Sequence, residues 1–348
     1  RSETHEVGDG NLELGEIPVA DGVRLAIELR SASQRLVGYG RSARAVEVLG
    51  DQVVEVPIRL RRPFAYLSGA PGALATFDST VDADVAEFKG AVSVARTPSL
   101  AVPTPDGAEM VVIAAAGGGG ELSLVSTSVH EALNRPAVPL QAPPTDAVVS
   151  ADGTWVVVGH GGAAGGISVV DLAAARDGAA VVSFTAVGNV GAVATALDVD
   201  GGTAVFALID RATTCSDKDS SIAVFALGAG LDAGSTISYA GPLMDLAAIG
   251  VDEGASDNAT AVFVADGCPG SIVRIDPAAP TDHVVFVEVP KLTVIAALDG
   301  RVWGLGSRPP QPAQQLGARL VLASVSVAGG DATVVELPEA EERAVTND

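Results

Sequence analysis

The chain is poor in aromatic residues, lysine, histidine and cysteine. Of its 348 residues 4% are aromatic, lysine stands only at Lys89, Lys218 and Lys291, and there are four histidines and two cysteines. With 43 acidic residues against 21 basic ones and a net charge of −22, nucleic acid is a poor partner, because binding phosphates takes clustered cations. Anionic membrane surfaces are disfavoured for the same reason, while cationic partners and divalent cations stay open. Two cysteines without a neighbouring histidine do not make a tetrahedral metal site. No apolar run reaches the ~18–20 residues that a membrane-spanning helix needs. Glycine clusters are present at 117–120 and after His160. Neither carries the Lys-Ser/Thr of a phosphate loop or opens a helix.

What is present is valine in short runs, separated by glycine and proline. Valine and isoleucine suit a pleated, half-buried surface, and the 40 Gly and 20 Pro suit many turns between many short strands. One turn keeps returning. Asp106-Gly107, Asp152-Gly153, Asp200-Gly201 and Asp299-Gly300 each follow a short apolar stretch and precede a strand-like run, and Asp252-Glu253-Gly254 is a degenerate copy. A period in the forties with about four strands per period predicts an all-β fold, a propeller of four-stranded blades.

The second and third strands of each blade are the clearest: FAYLSG with ALATFDS, MVVIAAA with ELSLVSTS, WVVVGHG with ISVVDLA, TAVFALID with SIAVFAL, TAVFVAD with SIVRIDP, and VWGLGS with RLVLASVSV. Counting these pairs predicts six blades, with seven as the alternative. The inner strands, 99–105, 146–151, 193–199, 245–251 and 293–299, are short and read as offering Ala, Val, Thr and Pro to a crowded central wall.

The expected organisation is a polar leader over 1–10, a small β-sandwich over 11–62, a propeller over 63–338 and an acidic tail over 339–348. The run QVVEVPIRL (52–60) alternates apolar and polar residues. It either closes the sandwich or supplies the inner strand that the first blade lacks. The start at Arg1 is expected to follow a removed signal or a trimmed end. The shortage of lysine beside Ala, Gly, Val and Arg suggests a bacterial genome rich in GC.

The run WVVVGHGGAAGGISVVDLAAA (155–175), with looser copies at 64–80 and 260–278, resembles the repeat unit of YncE-like propellers, whose YVTN-type units run strand, Gly-rich loop, strand. That resemblance implies a propeller and carries no single activity. Residues 12–62, ending in LRRPF, look like small sandwich modules of carboxypeptidase-regulatory or transthyretin type.

Cys215 and Cys268 lie one blade step apart, both between second and third strands of adjacent blades. Such loops stand side by side on one propeller face, which predicts a disulfide and an oxidising compartment; two separate buried thiols are the alternative. Asp210, Asp217 and Asp219 cluster in the loop 210–221. They are candidate calcium ligands, although the glycine and distal glutamate of an EF-hand are missing; a solvated polar turn is the other reading. His160, Arg308 and Gln311 are expected on the same loop-rich face as the cysteines. Two functions follow as expectations. One is a non-enzymatic secreted or envelope binding module with a protein or envelope partner and no cofactor. The other is a cation-dependent hydrolase or lactonase-type propeller with calcium at the channel mouth.

Overall fold

Valine-rich runs bounded by Asp-Gly, Pro and Gly become strands throughout. The computed structural model describes residues 20–336 apart from 31–35, 43–45, 49–52, 61–63, 79–86, 178–181, 198–201, 210–214, 216–218, 251–259, 309–318 and a few shorter gaps. In the N-terminal part, β1 (Ala20–Val23), β2 (Ala26–Arg30), β3 (Leu36–Arg41) and β4 (Val46–Val48) make two antiparallel pairs, β1 with β4 and β2 with β3. The run expected as a strand over 52–60 is not one: none of its described residues, 53–56, 58 and 60, is in a strand, and Val53 is fully exposed.

A three-stranded sheet follows, from β5 (Phe64–Ala70), β6 (Ala73–Asp78) and β7 (Glu87–Ser93). Five four-stranded antiparallel sheets come next. Blade 1 is β8 (Pro98–Pro103), β9 (Glu109–Ala116), β10 (Gly119–Ser126) and β11 (Val138–Leu140). Blade 2 is β12 (Pro144–Val149), β13 (Trp155–His160), β14 (Gly166–Asp171) and, after the short helix α1 (Leu172–Arg176), β15 (Val182–Ala186). Blade 3 is β16 (Val190–Leu197), β17 (Thr203–Ile209), β18 (Ser220–Leu227) and β19 (Leu231–Tyr239). Blade 4 is β20 (Leu243–Ile249), β21 (Ala261–Asp266), β22 (Ser271–Asp276) and β23 (Ala279–Glu288). Blade 5 is β24 (Val294–Leu298), β25 (Arg301–Arg308), β26 (Arg319–Ser326) and β27 (Thr333–Glu336). Within each blade the strands pair in chain order.

The molecule is therefore an all-β propeller with five blades, not six or seven. All six predicted second-to-third-strand hairpins form. The overcount arises because the first hairpin gains an outer strand, β7, but no inner one among the described residues. Its place in the repeat is set by a recurring hydrogen bond. The Val94 amide donates to the Gly72 carbonyl (3.0 Å), Gly188 to Gly165 (3.2 Å) and Val289 to Gly270 (2.9 Å). Each bond ties the segment before an inner strand to the hairpin between second and third strands. The sheet β5–β7 thus holds the second, third and fourth positions. Gly270 has to be glycine: its φ is +106°, and a Cβ there would stand 2.4 Å from the Val289 carbonyl oxygen.

Five apolar clusters fill the spaces between consecutive sheets, from Leu74 and Val92 against Met110 and Val112 at one end to Phe263 and Ile272 against Val302 and Val321 at the other. Sheets in the middle are packed on both faces, so their strands read as nearly continuous apolar runs. The far face of blade 5 leaves Val294, Trp303 and Leu320 exposed. The inner-to-second turns are as expected where described: Gly107, Gly153 and Gly300 have φ of 65°, 71° and 68°, and Asp106 and Asp152 accept from the amides two residues on. Asp200-Gly201 and Asp252-Glu253-Gly254 lie outside the described residues. Among the described residues no helix is long and apolar enough to cross a membrane.

Candidate functional site

Strand direction divides the propeller into two rims. The Asp-Gly turns lie on one. The loops between second and third strands and the links between blades lie on the other, called the front face here. The disulfide confirms that neighbouring front loops meet. Cys215, between β17 and β18, is bonded to Cys268, between β21 and β22, with Cα atoms 5.7 Å apart. Asp266, the last residue of β21, anchors it. One carboxylate oxygen accepts from the Cys268 amide (2.8 Å) and the other from the Tyr239 hydroxyl of blade 3 (2.9 Å). Burial, together with the Asp266 carboxylate, pushes the Tyr239 phenol well above its ordinary range, so it stays a donor. The ring of Tyr239 meets His283 edge-on at 5.7 Å.

The inner strands hold two residues that the sequence reading missed. Asp146 on β12 and Asp245 on β20 sit just past matching register shifts. Each carboxylate reaches the next blade. Asp146 accepts from the Val193 amide (2.8 Å) and Asp245 from the Ile295 amide (2.9 Å). Asp245 also accepts from the Leu246 amide (2.9 Å). These amides stand on the free edges of inner strands, so the carboxylates satisfy donors that no ladder partner takes. Burial raises the Asp146 pKa, and its bonds from Val193 and Ala147 offset part of that. The signal was visible as the first letter of DAVVSA and of DLAAIGV. A leading aspartate does not stand out where the inner strands read as offering Ala, Val, Thr and Pro to the channel wall.

His160 is corrected. The expectation put it on the binding face; the fold buries it completely between blades 1 and 2. The alternation of β13 turns its side chain inward, beside Phe184 at 5.8 Å. Nε2 lies 2.7 Å from the Ser168 hydroxyl, which is also fully buried, and Nδ1 has no hydrogen-bond partner. A serine–histidine contact with no path to solvent cannot act on a substrate. Burial holds the imidazole below the ordinary histidine range, while the nearby Ala142 and Pro143 carbonyls pull the other way. Between the folded and unfolded pKa values the unfolded chain binds the extra proton. Stability is therefore full above about pH 6.5 and falls as pH drops below it, levelling once the folded group itself titrates. Urea midpoints between about pH 5 and pH 7.5 check this, and His160→Gln is expected to flatten that part of the profile.

Arg308, at the front end of β25, pairs with Glu336, which Arg319 also approaches at 3.5 Å. Asp219 is exposed at the start of β18. Asp210, Asp217 and Gln311 lie outside the described residues. No cluster of three metal-ligating side chains occurs among the described residues. The front rim thus carries the disulfide, Asp219 and Arg308 at separate places along it, and His160 is not exposed there.

No family model matches the chain, and no curated protein matches it in sequence. A protein from Lactobacillus plantarum is similar in structure, with 15% identity, a TM-score of 0.55 and coverage of 80% of this chain and 82% of that one. TolB from Acinetobacter baumannii aligns at 12% identity and a TM-score of 0.49 over 86% of this chain and 76% of that one. Hydrazine synthase of Kuenenia stuttgartiensis aligns at 16% identity and a TM-score of 0.44 over 83% of this chain and 99% of that one. At such identities likeness speaks for architecture alone, and scores of 0.49 and 0.44 carry no argument; it is the succession of four-stranded antiparallel sheets pairing in chain order that makes this chain a β-propeller.

Proposed function

We propose that the chain is a non-enzymatic binding module that holds a protein or envelope component on its front face, outside the cytoplasm of a bacterium. The observation that carries this reading is the disulfide between front loops of adjacent blades. It stiffens two loops on one side of a rigid scaffold, which is where binding residues collect. A disulfide also favours an oxidising compartment. The N-terminal segment 11–62, read as a small sandwich, serves as a spacer in this reading. The net charge of −22 makes a basic protein surface the favoured partner.

The test is capture from a bacterial envelope fraction with immobilised chain. A partner is expected that binds the wild type and loses at least about tenfold in affinity to the pair Asp219→Arg and Arg308→Glu, a change of about 1.4 kcal/mol. Asp232→Arg, on the opposite rim, is expected to leave it bound. Equal loss in both variants would overturn the front-face assignment. Calcium-dependent turnover of an ester or lactone would replace the binding role with a hydrolytic one.

A further inference from the structure

In blades 1, 3 and 4 one cross-strand row carries much of the contact with the next blade. It takes one residue from each strand, paired by register and so lying on one face. In blade 1 the row is Leu100, Ile113, Leu122 and Val138. In blade 3 it is Ala192, Leu208, Ile222 and Ile237, and in blade 4 Asp245, Ala265, Ile272 and Val287. The two central residues of each row are fully buried in the cluster that joins the blade to its successor.

Blade 5 repeats the row as Val294, Leu305, Leu322 and Val335. Here it is open to solvent: Val294 is 51% exposed and Val335 47%, and Leu305 and Leu322 are only half-buried. Trp303, 37% exposed, and Leu320, 52% exposed, extend the patch on either side. Ile295, Val302, Val321, Ala323 and Val325 belong to the junction with blade 4. Strand alternation therefore sets the open residues on the far face.

The chemistry of this face narrows its partner. None of its described residues is acidic, although the chain has 43 acidic residues. Its one charge is Arg301, whose guanidinium lies 5.9 Å from the centre of the Trp303 ring and donates to the Ser324 hydroxyl (2.8 Å). A tryptophan and an arginine among aliphatic side chains, without carboxylates, is the composition of an interface core. A basic partner, which suits the rest of the chain, finds no carboxylate to pair with here. A second copy of the same face does fit, because the two meet without the carboxylate repulsion that a net charge of −22 sets up elsewhere between copies. Four strands about 4.8 Å apart, each about six residues long at about 3.3 Å per residue, give about 400 Å² in plan. Side-chain relief raises the accessible area above that, toward the lower end of stable pairs, which bury about 600–800 Å² per partner.

We propose that the far face of blade 5 packs sheet on sheet against the same face of a second copy, making the chain a reversible homodimer. A twofold pairing uses the face in both copies and stops at two. Both front rims stay outside the contact, so the pair presents two of them. The inference is independent of the front-face reading, since the residues that carry it lie on another surface.

Sedimentation velocity of the full chain between about 0.5 and 100 μM tests this, with a dimer dissociation constant of about 10 μM expected for a face of this size. Val294→Asp with Leu320→Asp is expected to weaken pairing at least about 100-fold, because it sets carboxylates against each other across a desolvated contact. Trp303→Ala is expected to weaken it at least about tenfold. Asp232→Arg, away from this face, is expected to pair as the wild type does. The altered side chains are exposed, so the blades stay folded, which circular dichroism checks; Leu320→Arg alone repeats the test with a smaller change. A wild type that stays monomeric up to about 100 μM would overturn the proposal. So would a dimer that survives these changes, because the copies would then meet elsewhere. Growth beyond two copies would overturn it too, by showing a head-to-tail contact.

Discussion

Cys215→Ser combined with Cys268→Ser is expected to lower unfolding free energy by about 4 kcal/mol, the chain-entropy value for a closed loop of this length. The bond spans 53 residues, so the unfolded chain loses much of its freedom. The native anchors remain in the variant: Asp266 still accepts from Tyr239 and from the amide at position 268. The loss should therefore appear in urea midpoints without loss of the β signature in circular dichroism. Wild type in excess dithiothreitol is expected to match the variant. A loss under about 1 kcal/mol would mean that the unfolded state is already restrained in this region.

Phe263→Ala is expected to cost about 3–5 kcal/mol, the range for emptying a fully buried phenylalanine site. Phe263 is wholly buried between blades 4 and 5, where its ring meets Phe286 at 5.7 Å. Its neighbours Val262 and Val264 face the other way, into the cluster shared with blade 3. The damage should therefore concentrate at the junction between blades 4 and 5. Phe263→Leu, which keeps most of the volume, is expected to recover more than half of the loss. Urea unfolding of both variants measures the difference, and equal destabilisation by the two would point to a specific ring contact and not to volume.

Much of the architecture was legible in the chain because the repeating unit is local. A hairpin such as WVVVGHG…ISVVDLA declares itself by valine density and by the glycines between its arms, and all six such hairpins formed where expected. The blade count was not legible, since it depends on whether each hairpin finds an inner partner, and inner strands are short and weakly marked. The disulfide could be read from blade spacing because loops at equal positions in adjacent blades stand side by side. His160 could not. Its loop of glycines suggested exposure, yet the parity of β13 buried it, and parity relative to a neighbouring sheet is a property of the assembled fold. Asp146 and Asp245 were visible as letters but not as a pair, because their common role appears only when the next blade's backbone is present.

The carboxylates of Asp146 and Asp245 each reach forward to an amide about fifty residues later in the chain. On the ribosome such a group waits in water until its successor has been made and folded against it. Each bond therefore needs its neighbour in place: the one from Val193 closes only when blade 3 is packed on blade 2, and the one from Ile295 only when blade 5 is packed on blade 4.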